Sequence, residues 1–596
     1  MNGSGTQGEM EIYDYFDNKE LETLIKTQSG PCISLFVPMV ERGKETRQNP
    51  IRFKNAIERA KTLAGEAYPK EVRQDNQAEI DFEPAAVLIN NSEFWRNQQS
   101  GLAVFISPEM IKAYRLPLDF EELVISSRNR FKPQLVKKKI RTLVELLEYR
   151  VAETPEKVAF TFHNDPPCSY GRLWQQVNRL AACLIHKGLK SRDRVLMAIP
   201  NSSEFFYVFY GAQCAGGMAV PVFPGSGSER ILKVAGLCDA RFVVISKNFP
   251  TEKINQLSQG ARRDKRQLLF VEDGLRFEDQ ASFPDILPEH VSFIQFTSGS
   301  TGNPKGVQLS HANLLENIGQ MTAGLRITTA DYFVSWLPVY HDMGLILMTM
   351  VPFYLGIEFV LLPTGLNYIK TWLKTIEERN ATFTAAPDFA YRLCLRYIRD
   401  PQNYDLSTLR VALNAAEPVR HSTITAFEEK FHLKNVMLPA YGLAEATVGA
   451  CGWFPGQKVK VDRRGFVSVG APFPGVKMRI EKEGKEAKPG EVGEILVWSK
   501  ANTTGYFRNK PETEALFAEE GYIRTGDSGY CDNEDHYYIV GRKKNIIIQG
   551  GYNISARETE ELVDAFPFVR RSAALGIDRG KTEGEQAYVF IEVKTH

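Results

Sequence analysis

The chain has almost no net charge, since 73 Lys and Arg face 72 Asp and Glu, leaving +1. That balance argues against a nucleic-acid coat or a polybasic membrane anchor, both of which draw on an excess of cations. Cysteine is sparse and scattered, at Cys32, Cys168, Cys183, Cys214, Cys238, Cys394, Cys451 and Cys531. No C-x-x-C pair occurs, so neither a zinc knuckle nor a disulfide scaffold is expected, and reduced, mostly buried thiols are. Met1 to Glu11 is polar and glycine-rich, without the apolar core of a signal peptide. The most apolar run, Leu345 to Leu355, is half a membrane span and contains Pro352, so no transmembrane helix is expected. Short repeats and low-complexity tracts are also lacking. Together these lacks point to a cytoplasmic protein.

What is present is ample core material. Hydrophobic residues make up 43% of the 596 positions and charged residues 24%. At roughly 150 residues per domain, about three or four compact units are expected. A first unit, residues 1–135, alternates apolar runs (Cys32 to Val37, Gly101 to Ile106) with helical stretches such as Ile51 to Ala64, an α/β pattern. The basic run Lys137-Lys138-Lys139-Ile140-Arg141 reads as a solvated linker over 136–141.

A helix begins behind Thr142, a good N-cap ahead of Leu143, Val144, Leu146 and Leu147. Strand Arg194 to Ile199, helix Ser203 to Gly211 and strand Met218 to Val222 then form a βαβ unit, which implies parallel strands and a right-handed crossover. Such alternation continues past residue 420. From about Gly470 short alternating strands take over (Val476 to Glu481, Glu491 to Trp498, His536 to Val540), which predicts a small β-rich subdomain. Beyond Gly541 the sequence predicts a glycine turn at Gly550-Gly551, a helix over Ala556 to Ala565 and a buried strand over Ala587 to Val593.

The chemistry-bearing strings lie within this frame. Phe296-Thr297-Ser298-Gly299-Ser300-Thr301-Gly302-Asn303-Pro304-Lys305-Gly306 follows an apolar segment. Its glycines let backbone N–H groups approach a polyphosphate, its hydroxyls add donors, and Lys305 adds charge. It is not a P-loop, because no G-x-x-x-x-G-K-[ST] string runs through it. Trp336-Leu337-Pro338-Val339-Tyr340-His341-Asp342-Met343-Gly344-Leu345 sets a histidine between an aromatic and a glycine. Ala440-Tyr441-Gly442-Leu443-Ala444-Glu445-Ala446-Thr447 sets a carboxylate four residues after an aromatic. Arg524-Thr525-Gly526-Asp527 ends a glycine turn in a carboxylate, and Gly541-Arg542-Lys543-Lys544-Asn545 is a basic turn. Each alone has a plain structural explanation: a mobile turn, a core histidine, core packing, a turn residue, a solvated charge.

Taken in order, these strings resemble the signature motifs of the adenylate-forming superfamily, which contains acyl-CoA synthetases, peptide-synthetase adenylation domains and firefly luciferase. The resemblance covers about residues 138–596. Within that group the strings around His341, Ala386 to Cys394, Leu413 to Val419 and Tyr441 to Thr447 are similar to those of fatty acyl-AMP ligases. Two features depart from that subgroup. The turn Gly551 to Ala556 lacks the proline usual after its asparagine, and Gly465 to Ile480 fits a general acyl-activating enzyme equally well.

The resemblance implies an α/β fold: a large AMP-binding domain over 142–540 with two βαβ-type subdomains and a small β-rich one, and a truncated small C-terminal α+β domain over 541–596. It implies activation of a fatty acid by ATP and Mg²⁺, with the acyl group passing to an acyl carrier protein. An acyl-CoA synthetase using coenzyme A, and a non-catalytic nucleotide- or acyl-binding fusion, are the alternatives. No nucleic-acid partner is expected.

By the same resemblance, Thr297, Ser298, Gly299, Ser300, Thr301, Gly302 and Lys305 hold the β- and γ-phosphates. Glu445 and Thr297 hold Mg²⁺. Tyr441, beside Gly442, stacks on adenine, and Ala415, Ala416, Glu417 and Pro418 line it. Asp527 takes the ribose hydroxyls, Arg542 reaches ribose or phosphate, and His341 lies between the acyl carboxylate and the α-phosphate. Lys544 falls at the superfamily's hinge. The family's distal lysine, which contacts the carboxylate and α-phosphate, is expected to lie beyond His596, which would impair the reaction in a chain of this length.

The first unit resembles something else. Gly30-Pro31-Cys32-Ile33-Ser34-Leu35-Phe36-Val37-Pro38, Gln48 to Asn55, Phe94 to Phe105 and Tyr114-Arg115-Leu116-Pro117 are similar to the N-terminal domain of bacterial members of the archaeo-eukaryotic release factor superfamily. Only that first domain is matched, so a translation-factor activity does not follow.

Overall fold

The computed structural model describes residues 11–13, 32–39, 48–67, 80–96, 101–108, 110–116, 122–127, 140–297, 304–542, 546–549, 552–556, 559–560, 563, 566, 568–578 and 585–593. The chain divides into two compact units, Met1–Ile140 and Arg141–His596. Lys137 to Lys139 of the basic run lie outside the described residues.

The first unit is a five-stranded sheet in the order Glu11–Tyr13, Met110–Leu116, Gly101–Ser107, Cys32–Pro38, Leu123–Ser127, antiparallel except for its first pair. Helix Asn49–Ala67 packs on it through Phe53, Ala56, Ile57 and Ala60, an i, i+3, i+4, i+7 stripe, against Ile33, Leu35 and Val37 on alternate positions of strand Cys32–Pro38.

In the second unit Thr142 caps helix Leu143–Glu153 by accepting the Glu145 N–H at 3.0 Å. A six-stranded sheet follows in the order Gln267–Phe270, Ala240–Ile245, Arg194–Ala198, Met218–Pro221, Val291–Thr297, Lys305–Ser310. Its strands are parallel except for the last pair, an antiparallel hairpin in which Thr297 faces Lys305. The glycine-rich string is therefore the hairpin connection, and its residues 298–303 lie outside the described residues.

A nine-stranded sheet has six parallel central strands: Met437–Tyr441, Val411–Asn414, Phe383–Ala386, Phe333–Ser335, Phe359–Leu361 and Val158–Phe162. The β-rich subdomain is a five-stranded antiparallel sheet, Lys485–Glu486, Lys477–Lys482, Gly493–Trp498, Ile523–Cys531, Tyr537–Arg542, whose last pair sets Asp527 opposite Arg542.

Buried amides tie these layers where they meet. Asn201 Nδ2 donates to the carbonyls of Leu337 and Leu362, each at 2.9 Å, and its Oδ1 accepts the Val339 N–H at 3.0 Å. Helix His311–Gly324 carries Asn317, whose Oδ1 accepts the N–H groups of Val448 and Gly449 while its Nδ2 donates to the Gly449 carbonyl at 2.8 Å. Burial makes each of these bonds costly to remove, so they fix the His341 string and the turn after Glu445.

The eight cysteines are thiols, seven buried and Cys531 half-buried. The apolar run splits into a π-helical stretch, Met343–Met350, and helix Val351–Leu355; among the described residues no helix is long and apolar enough to cross a membrane.

One expectation is corrected. Strand Glu585–Val593 pairs antiparallel with Val569–Asp578, yet Val589, Phe590, Ile591 and Val593 are 40%, 55%, 48% and 53% exposed rather than buried. Apolar composition marks a strand but does not say which faces of a two-stranded ribbon are covered. Of the helix expected over 556–565, the described residues Ala556, Thr559, Glu560 and Val563 are helical, and the others lie outside the described residues, as does Lys544.

Candidate active site

The carboxyl ends of the parallel strands Val411–Asn414 and Met437–Tyr441 open into a cleft of about 810 Å³, where α/β sheets commonly hold ligands. Thr297, Lys305, His341, Ala416, Tyr441, Gly442, Glu445 and Arg542, all singled out in the sequence, line it. The end of the hairpin, the start of the π-helical stretch and one edge of the β-rich sheet converge there. Ser298, Gly299, Ser300, Thr301 and Gly302 belong to the hairpin connection and lie outside the described residues.

Two polar clusters stand at its walls. In the first, Asp527 is the hub, set just behind the lining residues Gly526 and Arg542. Its Oδ2 accepts the Tyr441 hydroxyl at 2.6 Å and its Oδ1 meets Arg542 Nε at 2.9 Å. Burial raises the Asp527 pKa, with the Glu445 and Glu494 charges adding to it, against the opposing pull of Arg542 and Tyr441. A carboxylate so placed gains from further O–H donors. Burial, then the Asp527 charge, raises the Tyr441 phenol well above its ordinary value, so that hydroxyl remains a donor.

In the second cluster the Tyr506 hydroxyl donates to Glu445 Oε1 at 2.7 Å, and Lys305 Nζ pairs with Glu512 Oε2 at 2.5 Å while lying 5.1 Å from the Tyr506 ring centre. The backbone brings these groups together: Phe507 N–H donates to the Gly306 carbonyl, and Thr503 N–H to that of Glu445. Neither Tyr506 nor Glu512 was expected. The available signal was Asn509-Lys510-Pro511-Glu512, a cap and a first-turn proline that begin helix Lys510–Leu516.

His341 stands at the mouth of the π-helical stretch with its side chain 58% exposed, and its Nδ1 lies 2.7 Å from Asp342 Oδ1. The Asp342 charge, and then its hydrogen bond, raise the His341 pKa, outweighing the partial desolvation of the ring. Asp342 also accepts the Met343 N–H at 2.7 Å, which fixes its carboxylate. Asp342 adjoins a singled-out residue, yet its orienting role needed the structure.

The turn after strand Val411–Asn414 departs from expectation. Ala415 and Ala416 line the cleft, with Ala416 in the left-handed region at φ 70°. The Glu417 carboxylate instead accepts the Phe389 N–H at the start of helix Asp388–Tyr397. The open N–H groups of a helix start draw a carboxylate, which accounts for the difference. Glu417 and Pro418 are not among the lining residues. Gly442 admits no side chain, because a Cβ there would overlap the Val448 carbonyl. Thr447, at φ 73° and ψ −63°, is a strained turn residue held by its hydroxyl on the Ala501 carbonyl.

Among the described residues no group of three or more His, Cys, Asp or Glu gathers as a metal cage. Thr297 and Glu445 supply hard oxygen donors to the cleft, which fits a cation that takes few protein ligands and completes its shell with water and phosphate oxygens.

The family model described as AMP-binding enzyme matches residues 147–507. A medium-chain-fatty-acid–[acyl-carrier-protein] ligase of Moorena producens is 30% identical over 515 residues, covering 76% of this chain and 86% of that protein. A long-chain-fatty-acid–CoA ligase of Bacillus subtilis is 29% identical over 494 residues, covering 76% and 86%. The solved structure of a fatty acid AMP ligase from Legionella pneumophila matches with a TM-score of 0.64 at 28% identity, covering 78% of this chain and 88% of that one.

Proposed function

This chain belongs to the AMP-binding enzyme family, and we propose that it is an AMP-forming ligase that converts a fatty acid to its acyl-adenylate for transfer to an acyl carrier protein. The observation that carries the reading is one cleft lined both by polar Thr297, Lys305, Glu445 and Arg542 and by apolar residues that include Met321, Met343 and Leu347.

The reaction is attack of a carboxylate oxygen on the α-phosphorus of ATP, with pyrophosphate leaving. The substrate supplies the nucleophile, so the protein must hold two anions in line and neutralise them. Lys305 and the hydroxyl- and glycine-rich connection beside it take the β- and γ-phosphates. Asp527 takes the ribose hydroxyls, Arg542 bridges ribose and phosphate, and Tyr441 and Ala416 border adenine. His341, whose protonated form Asp342 favours, faces the forming carboxylate–phosphate contact. Glu445 and Thr297 hold Mg²⁺, which neutralises phosphate charge when bound. Lys544 serves as the hinge residue.

The acceptor is the finer part of the proposal. The carrier protein is favoured by the Moorena relative and coenzyme A by the Bacillus one. The family match begins at residue 147, so the ligase reading is assigned to the second unit alone. The release-factor-like reading of the first unit rests on its sequence strings alone and gains no support from the family match or the relatives. ATP–pyrophosphate exchange across a series of fatty acids tests the reaction, and supplying a carrier protein or coenzyme A separates the acceptors. Unchanged exchange in both Glu445→Ala and Asp527→Ala would reject the site assignment.

A further inference from the structure

The cleft is lined by two kinds of side chain. Polar groups pair around Tyr506 and Arg542, and apolar Met321, Leu325, Met343, Leu347, Val448 and Phe473 line it too, Met321 and Phe473 meeting over Gly449. Phe473 differs from the rest in how it is held. It lies between Pro472 and Pro474, whose rings fix the backbone on either side. Its N–H donates to the Ala450 carbonyl at 3.0 Å, and the adjoining strand Ala471–Pro472 pairs with Cys451–Gly452.

The ring rests on bare backbone. A Cβ built on Gly324 would overlap it, one on Gly449 would fall 3.0 Å from it, and one on Gly452 would fall 2.9 Å from it. The ring lines the cleft and is only 4% exposed, so it forms a wall rather than a projection. These three glycines come from the helix His311–Gly324, the turn after Glu445 and the strand beyond it, so three elements withdraw their side chains to seat one aromatic.

We propose that Phe473 is the floor of the acyl site and sets the longest fatty acid the chain activates. The inference rests on the ligase reading above and deepens it. A rigidly seated ring gives a chain-length limit, because a longer acid meets an aromatic that has no space to move into. Removing the ring opens room along the direction of the acyl chain without touching the groups placed on ATP.

The test is the chain-length profile of Phe473→Ala in acid-dependent ATP–pyrophosphate exchange, read as the ratio of kcat/KM for long over short saturated acids. A ratio is independent of the folded fraction. The expected result is a shift toward longer acids, gaining about fourfold in the ratio for each additional buried methylene. Gly449→Ala, which adds a methyl against Met321 and Phe473, should shift the profile toward shorter acids. If Phe473→Ala does not fold, Phe473→Leu gives the same direction with a smaller shift. An unchanged profile with a uniform loss of rate would overturn the proposal and make Phe473 core packing. Absence of acid-dependent exchange with every fatty acid in the unaltered protein would instead overturn the ligase reading, and this assignment with it.

Discussion

Replacing Asp527 with alanine removes the acceptor assigned to the two ribose hydroxyls. In the free protein both carboxylate oxygens are already engaged, Oδ2 by Tyr441 and Oδ1 by Arg542. The ribose therefore gains an exchange of hydrogen bonds rather than two new ones, about 1–1.5 kcal/mol each. The summed loss of about 2–3 kcal/mol corresponds to roughly 30- to 150-fold weaker ATP binding at 1.4 kcal/mol per tenfold. Alanine also strands the half-buried Tyr441 hydroxyl, so Tyr441→Phe in the same background separates that cost from the lost ribose contact. The assay is ATP affinity by calorimetry, repeated with 2′-deoxy-ATP. The unaltered protein should discriminate between the two nucleotides, and Asp527→Ala should not, which is the coupling a double-mutant cycle reads. Equal discrimination by both proteins would refute the assignment.

Three further outcomes follow from the same geometry. Asp342→Asn removes the main cause of the raised His341 pKa, so the basic limb of the kcat/KM profile should move to lower pH. For stability, a histidine with a raised folded pKa contributes fully below its unfolded pKa and loses that contribution as pH rises through the folded one, so denaturation against pH should show a smaller decline in the variant. Glu512→Gln frees Lys305 from its ion pair and should tighten pyrophosphate binding several-fold; weaker binding would show that Glu512 orients Lys305 instead. Asn317→Leu strands the buried N–H of Val448 at about 1–3 kcal/mol, and the half-buried one of Gly449 at less, and should lower both Tm and turnover.

Short local strings were legible in the sequence. The strands Arg194–Ala198 and Met218–Pro221, the Thr142 cap and the β-rich subdomain lie where periodicity and capping place them. The cleft residues Thr297, Lys305, His341, Tyr441, Glu445 and Arg542 stand in those strings and meet in space. What was not legible depends on pairs distant in sequence. Asn201 meets Leu362, Tyr506 meets Glu445 and Phe473 meets Gly324, contacts that no local period encodes. Glu417 shows the converse: it sits in a motif-like turn, yet a helix start 28 residues away takes its carboxylate. The exposed side chains of Glu585–Val593 show that an apolar run specifies a strand more firmly than its burial.

The central claim is that a fatty acid carboxylate attacks the α-phosphorus. Incubating the protein with ATP, Mg²⁺, an acceptor and a fatty acid labelled with ¹⁸O in both carboxylate oxygens tests it by mass spectrometry of the released nucleotide. The account predicts AMP carrying one ¹⁸O, formed only when the acid is present. Unlabelled AMP, or ADP with the label in inorganic phosphate, would contradict it.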